Sequence, residues 1–182
     1  MNTTDRERLK RILLEQSVKR GDFVLASGRK SSYYLDCRRT TLNPEGAWLV
    51  ARAVIEMIRD NDIRADAVGG LTLGADPIAA AVAAVSFHEG CPIPAFIVRK
   101  ESKSHGTRQR IEGTPVAGKH VVVVDDVVTT AESTIEAIDA VRQAGGTVSA
   151  AICIVDREEG GAERLSGTPF HPIFRRTELL GS

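Results

Sequence analysis

The stretch Val121-Val122-Val123-Val124-Asp125-Asp126-Val127-Val128-Thr129-Thr130-Ala131-Glu132-Ser133-Thr134 passes from an uninterrupted apolar run to two adjacent carboxylates and then to a hydroxyl-rich turn. Four consecutive valines suit a strand covered on both faces, as in a parallel sheet flanked by helices. The acids then emerge at the strand's carboxyl end, the edge at which open α/β sheets bind ligands. From Thr129 to Ser133 the chain opens a helix, whose free backbone N–H groups face any anion placed there. Two acids for hydroxyl groups beside an anion-binding turn outline a sugar-phosphate site.

Working outward, candidate strands at Ala67 to Leu71, Pro94 to Val98, His120 to Val124 and Val148 to Val155 alternate with candidate helices at Pro77 to Phe87 and Ala131 to Ala144. Alternation of this kind predicts βαβ units and a parallel sheet, an α/β fold. Upstream, Asn43 and Pro44 start a helix that carries Trp48 to Ile58, with Asn43 as its cap. Leu9, Ile12, Leu13, Leu14 and Val18 recur at helical spacing, which predicts an amphipathic helix from Asp5 to Lys19, stopped by Gly21. Phe23 to Arg39 reads as a turn followed by a short strand around Tyr33 to Asp36. The first forty residues depart from the alternation and are expected to form a small layer over the sheet's carboxyl edge.

With 182 residues, 42% of them hydrophobic, the chain is expected to form one domain spanning 1–182. Lys plus Arg and Asp plus Glu both number 24, so no net charge draws the chain to nucleic acid or to an anionic membrane. The polar N-terminus and the lack of a spanning apolar run point to a cytoplasmic protein. Cys37, Cys91 and Cys153 are too widely spaced for a zinc site and are expected to be reduced.

The stretch Arg99-Lys100-Glu101-Ser102-Lys103-Ser104-His105-Gly106-Thr107-Arg108-Gln109-Arg110-Ile111-Glu112-Gly113 follows a strand and holds almost nothing to anchor it in a core. Its length and polarity predict a loop, and its cations suit a polyanion. The loop leaves the same sheet edge as Asp125 and Asp126. Position therefore favours a lid over a merely solvated basic loop.

Together these two stretches are recognisable. Strand, Asp-Asp, hydroxyl-rich turn and helix resemble the phosphoribosyl diphosphate signature of the type I phosphoribosyltransferases. Arg99-Lys100-x-x-Lys103-x-His105-Gly106, closed by Ile111-Glu112-Gly113, is similar to the catalytic loop of the orotate branch, and Phe23 through Tyr34 to its N-terminal hood. The resemblance runs from about residue 20 to Arg157. It implies a mostly parallel sheet flanked by helices, with residues of about 1–40 contributing to the hood. It also implies Mg²⁺-dependent transfer of ribose 5-phosphate from 5-phosphoribosyl 1-diphosphate to orotate, giving orotidine 5′-monophosphate and pyrophosphate.

That chemistry builds positive charge on the sugar and negative charge on the leaving diphosphate, so catalysis is mainly electrostatic positioning. Asp125 and Asp126 suit the ribose hydroxyls and the cationic sugar. Val127 and Val128 continue the phosphoribosyl diphosphate signature, and Thr129, Thr130, Ala131, Glu132 and Ser133 would form the 5′-phosphate cradle, with the Glu132 side chain expected in solvent. Arg99, Lys100 and Lys103 would neutralise the diphosphate, and His105 would donate to it as the loop closes. Magnesium is expected to ride on the diphosphate oxygens rather than in a protein cage. For orotate, the resemblance points to Arg157, whose planar fork fits a carboxylate, with Lys30, Tyr34 and Thr129 as further contacts. It also places Lys100 in the neighbouring subunit's site, which requires at least a homodimer.

The chain departs from the best-known bacterial pattern at Ala26, at Tyr34-Leu35 and at Leu73-Gly74, where a lysine, an aromatic pair and a Tyr-Lys pair are expected. Thr72 to Asp76 instead reads as a turn into a helix, with Asp76 a candidate cap. Two rivals share the Asp125-Asp126 signature: a transferase for another base, and a regulator that senses phosphoribosyl diphosphate. The second would need a basic DNA-contacting element, for which the balanced charge and short chain leave no room.

Overall fold

Residues 3–24, 30–100 and 110–181 are described by the structure, a computed structural model. Its centre is a six-stranded sheet in the order β5-β4-β3-β6-β7-β8, built from β3 (Ala67–Leu71), β4 (Ala95–Val98), β5 (Ile111–Gly113), β6 (His120–Val128), β7 (Thr147–Asp156) and β8 (Phe170–Arg175). Every pairing is parallel except that of β4 with β5. The order reverses between β3 and β6, so the crevice at their carboxyl ends is the topological switch point.

The valine run explains how the sheet is covered. Val122 and Val124 join one core with Leu9, Val50, Val54, Ile78 and Val82, while Val121 and Val123 face a second with Ala137, Ile138 and Val141. Period-two alternation thus buries both faces, each valine contributing about 1.5–3 kcal/mol. The first core is closed by α1 (Thr3–Ile12), α3 (Pro44–Asp60) and α4 (Asp76–His88), and the second by α5 (Glu132–Gln143). Asn43 caps α3 as expected, its side chain accepting the Gly46 N–H at 3.0 Å.

Close backbone approach shapes β3. A Cβ at Gly69 would lie 2.1 Å from the Phe96 carbonyl oxygen, and one at Gly70 would lie 2.2 Å from that of Val124. Paired glycines let β3 seat between β4 and β6 at the switch point.

Four expectations need correction. The first helix ends at Ile12, passes through a π-helical turn at Leu13–Ser17, and gives way at Val18 to β1 (Val18–Val24), which pairs antiparallel with β2 (Lys30–Leu35). Pairing with a distant strand overrides the helical pattern there, and Gly21 sits within a register shift of β1 rather than at a helix stop. The strand expected to end at Val124 runs on to Val128, because β7 keeps pairing with it beyond the last β3 partner at Val123. The basic stretch is partly anchored: Arg99 N–H donates to the Arg110 carbonyl at 2.8 Å, and Ile111–Gly113 adds to β4 as an antiparallel edge. Asp76 makes no cap; Ala75 is the N-cap residue of α4, and Asp76 Oδ1 is buried without a partner.

The carboxyl-terminal α6 (Gly161–Arg164), β8 and α7 (Arg176–Leu180) were not expected. Pro172 weakens the strand reading of 170–175 and is tolerated because β8 is an edge. Cys37 and Cys153 are buried free thiols and Cys91 is exposed. No described helix is long and apolar enough to cross a membrane.

Candidate active site

Three elements converge on the switch point: the end of β6, the turn after β3, and the β1–β2 hairpin followed by the short α2 (Arg38–Thr41). They enclose a cleft of about 320 Å³ lined by Tyr34, Leu35, Asp36, Arg38, Leu73, Gly74, Lys100, Asp126 and Val127. The hairpin therefore stands over the carboxyl edge, while α1 belongs to the main core.

The two acids are not equivalent. Asp125 is 6% exposed, and its Oδ2 accepts the Ser133 hydroxyl at 2.7 Å and the Thr134 hydroxyl at 2.8 Å. Its Oδ1 accepts the Asp126 N–H at 3.0 Å. Burial pushes its carboxyl up, opposed by these donors. Asp126 borders the cleft and accepts the Val127 N–H at 2.9 Å. Burial and the neighbouring Asp125 charge push its carboxyl up to about 6, with Arg38 drawing it down. Gly74 is in close attendance, since a Cβ there would lie 2.7 Å from Asp126 Oδ1 and 3.1 Å from Asp125 Oδ1.

Beyond the acids the chain turns sharply at Ala131, whose φ of 61° is left-handed, and enters α5 at Glu132. From Thr129 to Thr134 no backbone N–H donates to the carbonyl of another described residue, so a row of donors is open to an anion. The Ser133 hydroxyl is turned to Asp125, which leaves its backbone N–H to the turn. Glu132 is exposed as expected, with Arg164 Nη1 3.6 Å away. The turn is braced from behind: Arg164 donates to the Thr130 carbonyl at 2.7 Å, and a Cβ at Gly161 would meet Thr129 O at 2.6 Å. Neither Gly161 nor Arg164 was legible as a site residue, since α6 carries no local signal.

Arg157 lies at the same edge, its N–H donating to the Val128 carbonyl at 2.9 Å. It is 8% exposed rather than a surface arginine. Its guanidinium sits 4.9 Å from the centroid of the Tyr33 ring and 2.9 Å from Glu159 Oε1, and its Nε is buried without a partner. Tyr33 thus holds the hood against β7. Tyr34, named on sequence, lines the Asp126 cleft and packs on Phe23 with ring centroids 5.8 Å apart.

Arg99 pairs with Glu112 at 3.0 Å across the β4–β5 stem, and Lys100 borders the Asp126 cleft within its own chain. Lys103 and His105 lie outside the described residues, as does Ala26; of Lys30 only the backbone, in β2, is described.

Comparison with known proteins agrees with this geometry. Residues 41–168 match the phosphoribosyl transferase domain family. The chain is 44% identical to the orotate phosphoribosyltransferase of Aquifex aeolicus over 97% of its own length and 98% of the relative's. A crystal structure of the Mycobacterium tuberculosis orotate phosphoribosyltransferase superposes with a TM-score of 0.84 at 40% identity, covering 97% of this chain and 99% of that one. Another crystal structure of the mycobacterial enzyme, in complex with 5-phospho-alpha-D-ribosyl 1-diphosphate, gives 0.81 at 38%, covering 96% and 98%. With the acid pair, the open N–H turn and the switch-point cleft in place, these matches assign the chain: it belongs to the orotate phosphoribosyltransferase family.

Proposed function

We propose that the switch-point cleft transfers ribose 5-phosphate from 5-phosphoribosyl 1-diphosphate to orotate, forming orotidine 5′-monophosphate and releasing pyrophosphate, a step of pyrimidine nucleotide synthesis. The observation that carries this reading is the juxtaposition of Asp125-Asp126 with the unpaired N–H groups of 129–134 and, at the same edge, the Tyr33-backed Arg157. As the bond from C1 to the diphosphate oxygen breaks, the ring nitrogen of orotate bonds to C1 and its proton passes to the departing pyrophosphate. The acid pair favours the cationic sugar, and the turn fixes the 5′-phosphate.

Arg157 receives the orotate carboxylate, its guanidinium held flat by the Tyr33 ring. Lys30, Tyr34 and Thr129 are the further orotate contacts. Lys100 and Arg99, with Lys103 and His105, act on the diphosphate. The Asp126 carboxylate bordering the cleft fits Mg²⁺ carried on the diphosphate. When bound, the ion supplies neutralising charge to the diphosphate oxygens. The working unit is a homodimer of single-domain chains in the cytoplasm, with Lys100 reaching the partner's site.

Incubating the protein with Mg²⁺, phosphoribosyl diphosphate and orotate tests the reaction directly. Loss of orotate absorbance is expected; an unchanged orotate signal while adenine or another pyrimidine is consumed overturns the base assignment.

A further inference from the structure

A diphosphate brings several negative charges into a cleft that already holds Asp126. Of the described residues lining that cleft, Arg38 and Lys100 are the cations, whereas Leu73 and Gly74 bring no charge. Lys100 sits at the foot of the basic loop. Arg38 stands on α2, immediately after the hood strand β2.

Arg38 is held in a defined pose. Its Nε donates to Asp36 Oδ1 at 2.8 Å and Nη2 donates to Asp36 Oδ2 at 3.3 Å, a two-point grip that fixes the guanidinium plane. Asp36 is further oriented by the Arg38 N–H at 3.3 Å. The Nη1 group has no hydrogen bond to any described residue, and half of the side chain is exposed. One edge of the fork is thus braced, and the residue lines the cleft. A surface ion pair between residues two apart would serve little purpose for stability.

We propose that Arg38 is a diphosphate-binding residue, with Asp36 as its positioning partner: the braced guanidinium offers its free edge to the leaving group in the cleft shared with Lys100 and Asp126. This rests on reading the cleft as the phosphoribosyl diphosphate site. The 129–134 turn and Arg157, which take the 5′-phosphate and the orotate carboxylate, do not line the Arg38 cleft, and of the orotate contacts only Tyr34 borders it. Arg38 also opposes, after the Val127 N–H, the upward push that burial and Asp125 exert on the Asp126 carboxyl.

Calorimetric titration with pyrophosphate plus Mg²⁺, and separately with ribose 5-phosphate, tests the assignment on wild-type protein, R38M and R38K. R38M is expected to weaken pyrophosphate binding about tenfold or more while ribose 5-phosphate stays within about twofold. In turnover the KM for phosphoribosyl diphosphate should rise and that for orotate should not. R38K keeps the charge but loses the two-point grip, and should lose about threefold, confined to pyrophosphate, which serves if R38M does not fold. No loss, or an equal loss for both ligands, overturns the proposal. The function itself is judged separately. If wild-type protein consumes no orotate yet binds pyrophosphate through Arg38, the base assignment fails and this inference stands. If orotate is consumed and pyrophosphate binding ignores Arg38, the reverse holds.

Discussion

The Ser133 hydroxyl donates to the Asp125 carboxylate across 2.7 Å, tying the first turn of α5 to the acid within β6. With Thr134 at 2.8 Å, two hydroxyls hold one carboxylate oxygen whose burial otherwise favours the protonated acid. The cradle and the acid pair are therefore one unit.

Removing that donor should be felt at the acid. Ser133→Ala is expected to cost about 1–3 kcal/mol in urea unfolding, because a buried carboxylate loses one partner. The Asp125 carboxyl should rise further, moving the acid limb of the kcat/KM profile to higher pH. An unmoved limb would show that Thr134 and the Asp126 N–H suffice.

Asp126 should make stability depend on pH in the opposite sense to a paired acid. Its folded value near 6 lies above the ordinary 3.8, so the folded state binds a proton more tightly than the unfolded one. The cost of ionising it is absent below 3.8, grows as pH rises to about 6, and is complete above. Asp126→Asn should thus stabilise the ligand-free protein at pH 7.5 by on the order of 1–3 kcal/mol, with little effect near pH 3.5, while turnover falls. Thermal unfolding of both proteins across that range checks the sign.

Gly70 and Gly74 should respond differently to the same methyl group. At Gly70 the added Cβ meets the Val124 carbonyl 2.2 Å away, backbone that cannot step aside, and Gly70→Ala should lose about 3 kcal/mol or more. At Gly74 it meets the Asp126 carboxylate at 2.7 Å, the free end of a side chain. Gly74→Ala should therefore cost activity more than stability, a split read from paired unfolding and rate measurements.

Arg157→Lys is expected to behave almost as badly as Arg157→Ala. A lysine keeps the charge but loses the planar fork and the Tyr33 stack, so the KM for orotate should rise about tenfold or more in both, with that for phosphoribosyl diphosphate little changed. Equal changes in the two constants would favour another base as substrate.

Lys100 borders its own chain's cleft, and the dimer reading places it in the partner's. Mixing inactive Lys100→Ala and Asp125→Asn subunits decides between them. If Lys100 acts across the interface, the mixed dimer holds one intact site and should recover up to about a quarter to a half of the wild-type rate, by statistical pairing of subunits. No recovery would assign Lys100 to its own chain.

The valine run, the adjacent acids, the turn, the Asn43 cap and the alternation of elements were legible in sequence because each is local. They depend on period-two or period-3.6 patterning and on side chains a few residues apart. Tertiary structure alone decided the rest. It ended the first helix at Ile12 and made Val18 and Lys19 the start of a strand by supplying β2 as a partner, gave Ser133 to Asp125, set Arg157 on Tyr33, and placed Arg38 beside Asp126. These contacts join residues 8 to 124 positions apart or oppose a local pattern, so they arise only when packing of the whole sheet overrides local preference.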